Sequence, residues 1–331
     1  MQKLKYNFVI FFAREDYCKA ILGKEVYDSE YVHVYKETFN GNKILRKLFH
    51  FHWSYRINSI VQLPFKRLWF KRMYNQKFKN ELPLCFLYWD GNNIRFDSGF
   101  TKYVRKKNPK NKQVILHMDL ISKKIDYPYK VLKDKVDLTI TYDANEAIQY
   151  GISYFKNDTY SKLIPEPDRL EIHQDIYFLG NVKDRMKIIL DVYQKLYSQG
   201  IKCKFLLAGV PEEQQKKYEG IEYITNISYE ENLKNVIHSK CILEIIQQGS
   251  SDLTMRACEA IAYGKRFLTN CQLCEKKNFH KDQLQIFDDI NKIDVEFITK
   301  NLELREYPAL LDMDPMRRLY FIQDELEVIN E

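Results

Sequence analysis

One segment of the sequence, residues 241–270, combines residue types that could bind a negatively charged ligand. An apolar strand is predicted to end at Ile246, a polar, Gly-containing loop follows, and a helix is predicted from about Asp252, where adjacent polar residues could cap it. Free backbone N–H groups at such a helix start, with Arg256 beside them, predict an anion site. Glu259, one turn further, could accept hydrogen bonds from two vicinal ribose hydroxyls. The spacing suits a nucleoside diphosphate, although a plain capped helix with solvated Arg and Glu side chains explains it as well.

Alternating apolar strands and amphipathic helices surround this segment and would position it. In the second half of the chain, strands are predicted at 175–179, 204–208, 221–224, 241–246, 266–269 and 284–287, and helices at 183–198, 211–218, 229–238 and 252–263. The first half is less regular, with strands predicted at 6–12, 31–35, 84–88, 114–117 and 138–141. Such alternation predicts parallel, doubly wound sheets. We expect an α/β protein with Rossmann-like domains at residues 1–165 and 166–305, a proline-containing linker at 163–170, and a C-terminal segment, 306–331, ending in one amphipathic helix.

The composition is that of an ordinary globular protein and excludes a disordered, collagen-like or low-complexity chain. The chain has 331 residues, of which 45% are hydrophobic and 29% charged, as in an ordinary globular protein. We expect no secretory signal, since the apolar stretch near the N-terminus is short and acidic residues follow it. Seven cysteines, an odd number in a large chain, favour a reducing, cytoplasmic setting. The net charge of +7 divides into +13 for residues 1–170 (31 basic, 18 acidic) and −6 for 171–331 (21 basic, 27 acidic).

Three motifs resemble those of the GT-B fold glycosyltransferases found in bacterial surface-polysaccharide and lipopolysaccharide gene clusters. The matching residues of the first motif are Gln248, Gly249, Leu253, Thr254, Met255, Arg256, Glu259, Ala260, Gly264, Lys265, Thr269 and Asn270. The second motif is FLGNVKDR at 178–185, and the third is ITYDANEAIQYGI at 140–152. The resemblance covers about residues 110–270. It implies two Rossmann-like domains that face a cleft, with a C-terminal helix returning to the first domain.

By this resemblance, Glu259 would bind the ribose of a nucleotide-sugar donor, and Arg256 with the Thr254–Met255 backbone would hold its diphosphate. Arg185 would be a second phosphate contact. The complete set expected at the donor is Gly180, Arg185, Gly249, Ser250, Thr254, Met255, Arg256 and Glu259. Many retaining GT-B enzymes carry a further Glu eight positions before the ribose-binding one, and here that position is Ser251. Retaining and inverting chemistry therefore both stay open.

An inverting reaction would need a base near the acceptor hydroxyl, and four side chains at predicted strand ends could serve. Asp119 occupies the place of an acid in the family pattern and is the first candidate, followed by His117. Asp90 and Asp143 also qualify, but each has a simpler role, as a turn residue and a helix cap. His117 could equally be a buried core histidine.

A basic, aromatic-rich stretch marks the first half of the chain. Residues 36–79 contain eleven Lys or Arg and one acid, Glu37, interleaved with large apolar side chains. This pattern is typical of a helix at an anionic membrane interface, and it also fits core helices with a solvated basic face. The residues expected at a membrane or acceptor are Arg67, Trp69, Lys71 and Arg72.

The sequence therefore predicts a glycosyltransferase that moves a sugar from a nucleotide-diphosphate donor to a glycan acceptor, which is expected to be lipid-linked. We expect it in the cytoplasm at the inner face of the membrane, without a metal, another cofactor or a nucleic-acid partner. Three alternatives stay open: a non-catalytic GT-B-like protein that binds nucleotide or glycan, a nucleotide-sugar epimerase on the same fold, and a membrane-surface adaptor.

Overall fold

The computed structural model describes all residues except 1–2, 12–14, 36–41, 59, 91–93, 95–98, 124–131, 157, 167–170, 247–253, 273, 275–278, 280–281, 301–312 and 330–331. The chain divides into two compact units. The first comprises Met1–Cys18, Lys24–Phe155 and Pro315–Glu331, and the second comprises Lys19–Gly23 and Lys156–Asp314. Among the described residues, no helix is both long and apolar enough to span a bilayer.

The first unit is built on a six-stranded, wholly parallel sheet of order β2-β1-β3-β4-β5-β6. Its strands are β1 (Asn7–Phe11), β2 (Val32–Val34), β3 (Leu84–Trp89), β4 (Lys112–His117), β5 (Leu138–Thr141) and β6 (Ser153–Tyr154). Its helices are α1 (Glu15–Tyr27), α2 (Lys43–His52), α3 (Tyr55–Asn58), α4 (Phe70–Tyr74), α5 (Gly99–Lys107) and α6 (Ala144–Tyr150), with 3-10 turns at Lys66–Trp69 and Ile121–Lys123. The central strands are buried along nearly their whole length, which explains their continuous apolar sequences.

The second unit has a second six-stranded parallel sheet, of order β12-β11-β10-β7-β8-β9. Its strands are β7 (Gln174–Asn181), β8 (Cys203–Ala208), β9 (Ile221–Ile224), β10 (Ser239–Glu244), β11 (Arg266–Thr269) and β12 (Leu284–Ile286). Its helices are α7 (Met186–Ser198), α8 (Tyr229–Ile237), α9 (Met255–Ala262) and α10 (Val295–Thr299), with 3-10 turns at Glu212–Gln214 and Ile290–Lys292. This is the strand order of a dinucleotide-binding Rossmann sheet, whose direction of winding reverses between β7 and β10. The α/β class and the parallel sheets predicted from the sequence are confirmed.

The last helix, α11 (Met316–Val328), packs within the first unit although the residues before it belong to the second. Gln323 accepts a hydrogen bond from the Lys5 backbone N–H at 3.1 Å, and the Phe155 and Phe321 rings lie 4.9 Å apart. The helix therefore returns to the first sheet, as the resemblance to GT-B proteins implies.

The helix predicted at 211–218 is wrong, because only Glu212–Gln214 forms a 3-10 turn there. The segment EEQQKK offers no apolar face that could pack on the sheet. Gln215 instead has extended backbone angles, and the Tyr223 hydroxyl bonds the backbone of Lys216 at 2.8 and 3.0 Å. The tyrosine hydroxyl thus pairs the N–H and the carbonyl of Lys216 in the absence of a helix.

Candidate functional site

A buried carboxylate, Glu244, lies at the carboxyl end of β10 and organises the polar groups around it. Its side chain is 1% exposed, and one oxygen accepts a hydrogen bond from Thr269 Oγ1 at 2.9 Å. The other oxygen accepts one from the Thr254 hydroxyl. Burial raises the pKa of Glu244, while the Thr254 bond, Arg256, the Thr269 bond and Arg185 all act to lower it. The sheet thus holds a carboxylate next to two arginines at the point where its winding reverses.

Thr254 is the N-cap of α9 and connects that helix to β10. Its hydroxyl accepts a hydrogen bond from the Arg256 N–H at 3.2 Å and donates one to Glu244. The helix therefore starts at Met255, three residues later than the predicted Asp252, because the threonine can satisfy a free N–H and the buried carboxylate together. Two predicted donor residues, Gly249 and Ser250, lie outside the described residues.

Arg256, in the first turn of α9, is partly exposed and lies over the ring of Phe178, with its Cζ atom 5.7 Å from the ring centroid. It acts to lower the pKa of both Glu244 and Glu259. Its charge therefore lies close to two buried carboxylates at the beginning of a helix, where an anion is also stabilised by the helix dipole.

Arg185 directly precedes α7 and reaches across the reversal point of the sheet. Its guanidinium donates to the Ile245 carbonyl, after β10, and to the Asn181 carbonyl, at the end of β7. Its Nε is buried and has no hydrogen-bond partner among the described residues. Burial lowers its pKa, and the nearby charge of Arg256 lowers it further. Two cations thus lie close together, an arrangement that an anion would stabilise.

Gly180 leaves room on the β7 backbone for the ring of Phe178. A Cβ at this position would lie 3.0 Å from Phe178 Cζ and 3.8 Å from Arg185 Nη2. The contact with Phe178 is tighter than ordinary packing allows. Glycine suits this position because of the Phe178 ring, and the donor role predicted for Gly180 stays a prediction.

Glu259 is 3% exposed and is held by side chains of α8. Its Oε1 accepts hydrogen bonds from the Tyr229 hydroxyl at 2.8 Å and from Asn232 Nδ2 at 3.1 Å. Oε2 accepts none from the described residues. Burial raises the pKa of Glu259 to about 6, although Arg256, Tyr229 and Asn232 each act to lower it. Two protein donors fill Oε1, so only Oε2 is left for a ribose hydroxyl. The predicted ribose contact stays a prediction, now confined to that oxygen.

Three further motif residues make contacts within the second unit, two of them at the carboxyl ends of strands. Asn270 Oδ1 accepts a hydrogen bond from the Ile246 N–H at 2.8 Å, which joins the chain after β10 to the chain after β11. Thr269 bonds Glu244, and the buried Lys265 amine donates to the Ile237 carbonyl. Burial lowers the pKa of Lys265 to about 8. Thr269 and Asn270 therefore connect the ends of β10 and β11 at the site, whereas Lys265 lies at the opposite edge of the sheet, before β11.

Sequence reasoning missed Glu244, Tyr229 and Asn232. Glu244 had a visible signal, since it is the only charged residue in the apolar run CILEII at 241–246. The two α8 residues had none, because they lie more than twenty positions before Glu259 in the chain. The Tyr229 hydroxyl also lies 3.2 Å from that of Tyr160, so the network extends to a third buried residue.

The two candidate bases of the first unit differ in their exposure to solvent. His117, the last residue of β4, is fully buried, with its Nδ1 atom 4.0 Å from Asp90 Oδ1. A base must reach the substrate hydroxyl. His117 is therefore less accessible to a substrate than Asp119, which lies two residues on and is exposed, and the catalytic role of each stays a prediction. Asp143 caps α6 by accepting from the Glu146 N–H at 3.0 Å, the simpler role expected for it.

Trp69 differs in exposure from the other three residues expected at a membrane or acceptor. It is 7% exposed, and its indole N–H donates to His52 Nδ1 at 2.8 Å. A side chain held in this way belongs to the core of the first unit. Arg67, Lys71 and Arg72 are exposed, as a surface role requires.

No group of three or more His, Cys, Asp or Glu side chains that could hold a metal occurs in the described part of the chain.

Protein-family models and curated proteins give no match to this sequence. Among solved structures, the chain is similar to an alpha-glucosyltransferase in complex with UDP and a 13-mer DNA containing an HMU base, with TM-score 0.48 and 10% identity over 75% of this chain and 80% of that one.

Two other solved glycosyltransferases are more distant. The glycotransferase of kitacinnamycin has TM-score 0.35 and 8% identity over 73% of this chain and 76% of that one. Glycosyltransferase VinC, in complex with DTDP, has TM-score 0.30 and 9% identity over 74% of this chain and 68% of that one. TM-scores below 0.5 at these identities establish no common family, so the site itself must carry the functional argument.

Proposed function

We propose that the protein is a glycosyltransferase whose second unit binds a nucleotide-diphosphate sugar. The observation that carries the proposal is the pair Arg185 and Arg256 beside the beginnings of α7 and α9, at the reversal point of a Rossmann sheet. Ligands of such sheets bind outside the carboxyl ends of the strands at this point. A diphosphate satisfies two neighbouring cations, two helix N-termini and an unpaired Nε donor together.

The same groups would support the chemical step. When the bond between the anomeric carbon and the diphosphate oxygen breaks, negative charge develops on the leaving oxygen. Fixed cations and helix N-termini stabilise that charge without reorganisation. The acceptor oxygen forms the new bond to the anomeric carbon and passes its proton to a base, for which Asp119 is our candidate. No metal or other cofactor is required in this scheme.

We further propose that the acceptor is a lipid-linked glycan and that the reaction serves surface-polysaccharide synthesis at the cytoplasmic face of the membrane. The resemblance of the motifs at 140–152, 178–185 and 248–270 supports this assignment. So does the exposed basic and apolar segment of the first unit, residues 43–72.

The test is calorimetric titration and thermal stabilisation with UDP, GDP, ADP, TDP, CMP and their sugars. Ligand at about 100 times its Kd adds about 2.7 kcal/mol of stability. Arg185→Gln and Arg256→Gln should each weaken binding about 10–100-fold, because each loses charge-assisted hydrogen bonds to phosphate. Lys187→Gln is the matched control, since this exposed lysine lies two residues from Arg185 and loses the same charge.

Release of nucleoside diphosphate from the donor that binds then tests for turnover. Binding that requires both arginines, with turnover, supports the proposal. Binding without turnover on any acceptor would make the protein a non-catalytic nucleotide-binding protein. A well-folded wild type that no nucleotide stabilises would contradict the proposed donor site.

A further inference from the structure

An amphipathic helix of the first unit exposes its apolar side. On α2, Ile44, Leu48 and Phe51 follow one another at helical spacing, and Lys43 and Lys47 lie along one flank of this apolar stripe. The apolar side of such a helix ordinarily packs on a core. Here Ile44 is 78% exposed, Leu48 41% and Phe51 48%.

The exposure does not come from a poorly packed segment. Phe49, on α2, is fully buried, with its ring 5.3 Å from that of Trp69 in an edge-to-face contact. Trp69 is bonded to His52, the last residue of the helix. Asn58 is buried and bonds the carbonyls of His52 and Ser54 and the N–H of Leu63, at 2.8–3.2 Å. The inner side of the segment is therefore fixed, and its outer side is apolar nevertheless.

The chain between α3 and α4 also exposes large apolar side chains. Ile60, Val61, Phe65 and Leu68 are 84%, 61%, 73% and 71% exposed. Phe65 is presented from a left-handed backbone conformation, with φ 65°. Bulky residues rarely adopt this conformation. Of the fourteen large apolar side chains exposed among the described residues, eight lie between residues 44 and 68.

The charge of this surface has one sign. From residue 38 to residue 80 the sequence has ten Lys or Arg and no Asp or Glu. Lys43, Arg46, Lys47, Arg67 and Lys71 are exposed among the apolar side chains. We name the exposed side chains of residues 43–72 the basic-apolar face.

We propose that the basic-apolar face docks on an anionic lipid bilayer. Cations beside exposed aliphatic and aromatic side chains match the two layers of a membrane interface, the charged headgroups and the acyl chains. A second copy of the chain fits worse, since a symmetric contact would place cation against cation. Nucleic acid fits worse as well, because exposed Ile, Leu and Val gain nothing from phosphates. The face belongs to the first unit and does not depend on the donor site.

The test is co-sedimentation of the full chain with vesicles of phosphatidylcholine, with and without about one third phosphatidylglycerol. Each Lys or Arg near an anionic surface contributes about fivefold in partitioning, ~1 kcal/mol. The triple variant Lys43→Glu, Arg46→Glu, Lys47→Glu should therefore lose binding at least about 100-fold, and added salt should weaken the wild type. The matched control is Lys102→Glu, Lys106→Glu, Lys110→Glu, which changes the net charge equally at exposed positions of the same unit.

A second variant, Leu48→Ser with Phe51→Ser, tests the apolar component without changing charge and should weaken vesicle binding about tenfold. Equal losses in the charge-reversal variant and its control would overturn the proposal, as would a wild type that ignores anionic vesicles. Self-association abolished by the serine variant, without vesicle binding, would assign the face to a second copy. Binding of a DNA duplex that only the charge variant weakens, without vesicle binding, would assign it to nucleic acid. Nucleotide titration of the same variants keeps this outcome separate from that of the donor site.

Discussion

Two regions of the molecule use cations in opposite ways. In the second unit, Arg185 and Arg256 are held by backbone carbonyls, an aromatic ring and neighbouring carboxylates. In the basic-apolar face of the first unit, Lys43 and Arg67 lie exposed among exposed apolar side chains. The first arrangement fixes positive charge at points, and the second spreads it over a surface.

These two arrangements of cations suit different kinds of ligand. A fixed pair of guanidinium groups selects an anion of defined shape, because little ordering is left to occur on binding. A surface of exposed cations among exposed apolar side chains suits a charged interface better than a single small molecule. If both proposals hold, the second unit supplies specificity for the donor and the first supplies location.

The largest effect should separate the two sides of α2, where two phenylalanines lie two residues apart. Phe49→Ala should cost about 3–5 kcal/mol, since it empties a fully buried site. Phe51→Ala should change stability by no more than about 0.5 kcal/mol, since that ring is 48% exposed. Urea unfolding followed by tryptophan fluorescence measures both, because all three tryptophans, Trp53, Trp69 and Trp89, belong to the first unit.

The same two variants also test whether the outer side of α2 is exposed to solvent. Equal losses for Phe49→Ala and Phe51→Ala would mean that the outer side of α2 also packs on protein. The basic-apolar face would then be an ordinary core surface, and its proposed docking would fail with it.

A smaller effect is expected at the N-cap of the second unit's site. Thr254→Val removes the cap of α9, ~1 kcal/mol, and a hydrogen bond to the buried Glu244 carboxylate, about 1.5–3 kcal/mol. Together the loss should be about 2.5–4 kcal/mol, measured by urea unfolding followed by far-UV circular dichroism. Thr254→Ser keeps the hydroxyl and should lose less than about 1 kcal/mol. If the serine variant loses as much as the valine variant, the hydroxyl is not what holds the helix.

Both regions were visible in the sequence to different extents. The strands were predictable because buried parallel strands read as apolar runs, as CILE and KFLLA do. Charge and spacing marked Arg256 and Glu259, since both lie within two turns of one helix start. The contacts that define their roles were not predictable. Tyr229 and Asn232 reach Glu259 from another helix, and only the packing of α8 against α9 brings them there.

In the basic stretch, residues 36–79, the sequence likewise predicts the charge but not which side chains are buried. Its charge was evident, but Trp69 and Leu68 are neighbours in the sequence and differ in exposure from 7% to 71%. Local composition does not distinguish them, because the inner side of the segment is set by long-range packing against the sheet of the first unit. The inner side packs as the interpretation as core helices expects, and the outer side is the basic-apolar face for which we propose membrane docking.

The smallest of the expected effects concerns the pH dependence that Glu259 gives to the second unit. Burial raises its pKa to about 6 in the folded chain, above the value of about 4.3 expected after unfolding. Between these values the folded state holds a proton that the unfolded state has released. The stabilisation from this group is therefore complete below about pH 4.3 and is lost as the pH rises through 6. The loss should reach at most about 2 kcal/mol.

Glu259→Gln has no such proton and is the reference for this measurement. The stability of the wild type relative to the variant should fall between pH 4.5 and 7, as measured by urea unfolding at each pH. A flat difference would show that the buried carboxylate is ionised throughout, held so by Arg256, Tyr229 and Asn232. Repeating the series with a bound nucleoside diphosphate tests the ribose contact. A hydroxyl donating to Oε2 favours the ionised form, so the ligand should bind more tightly as the pH rises, and this trend should be absent in the variant.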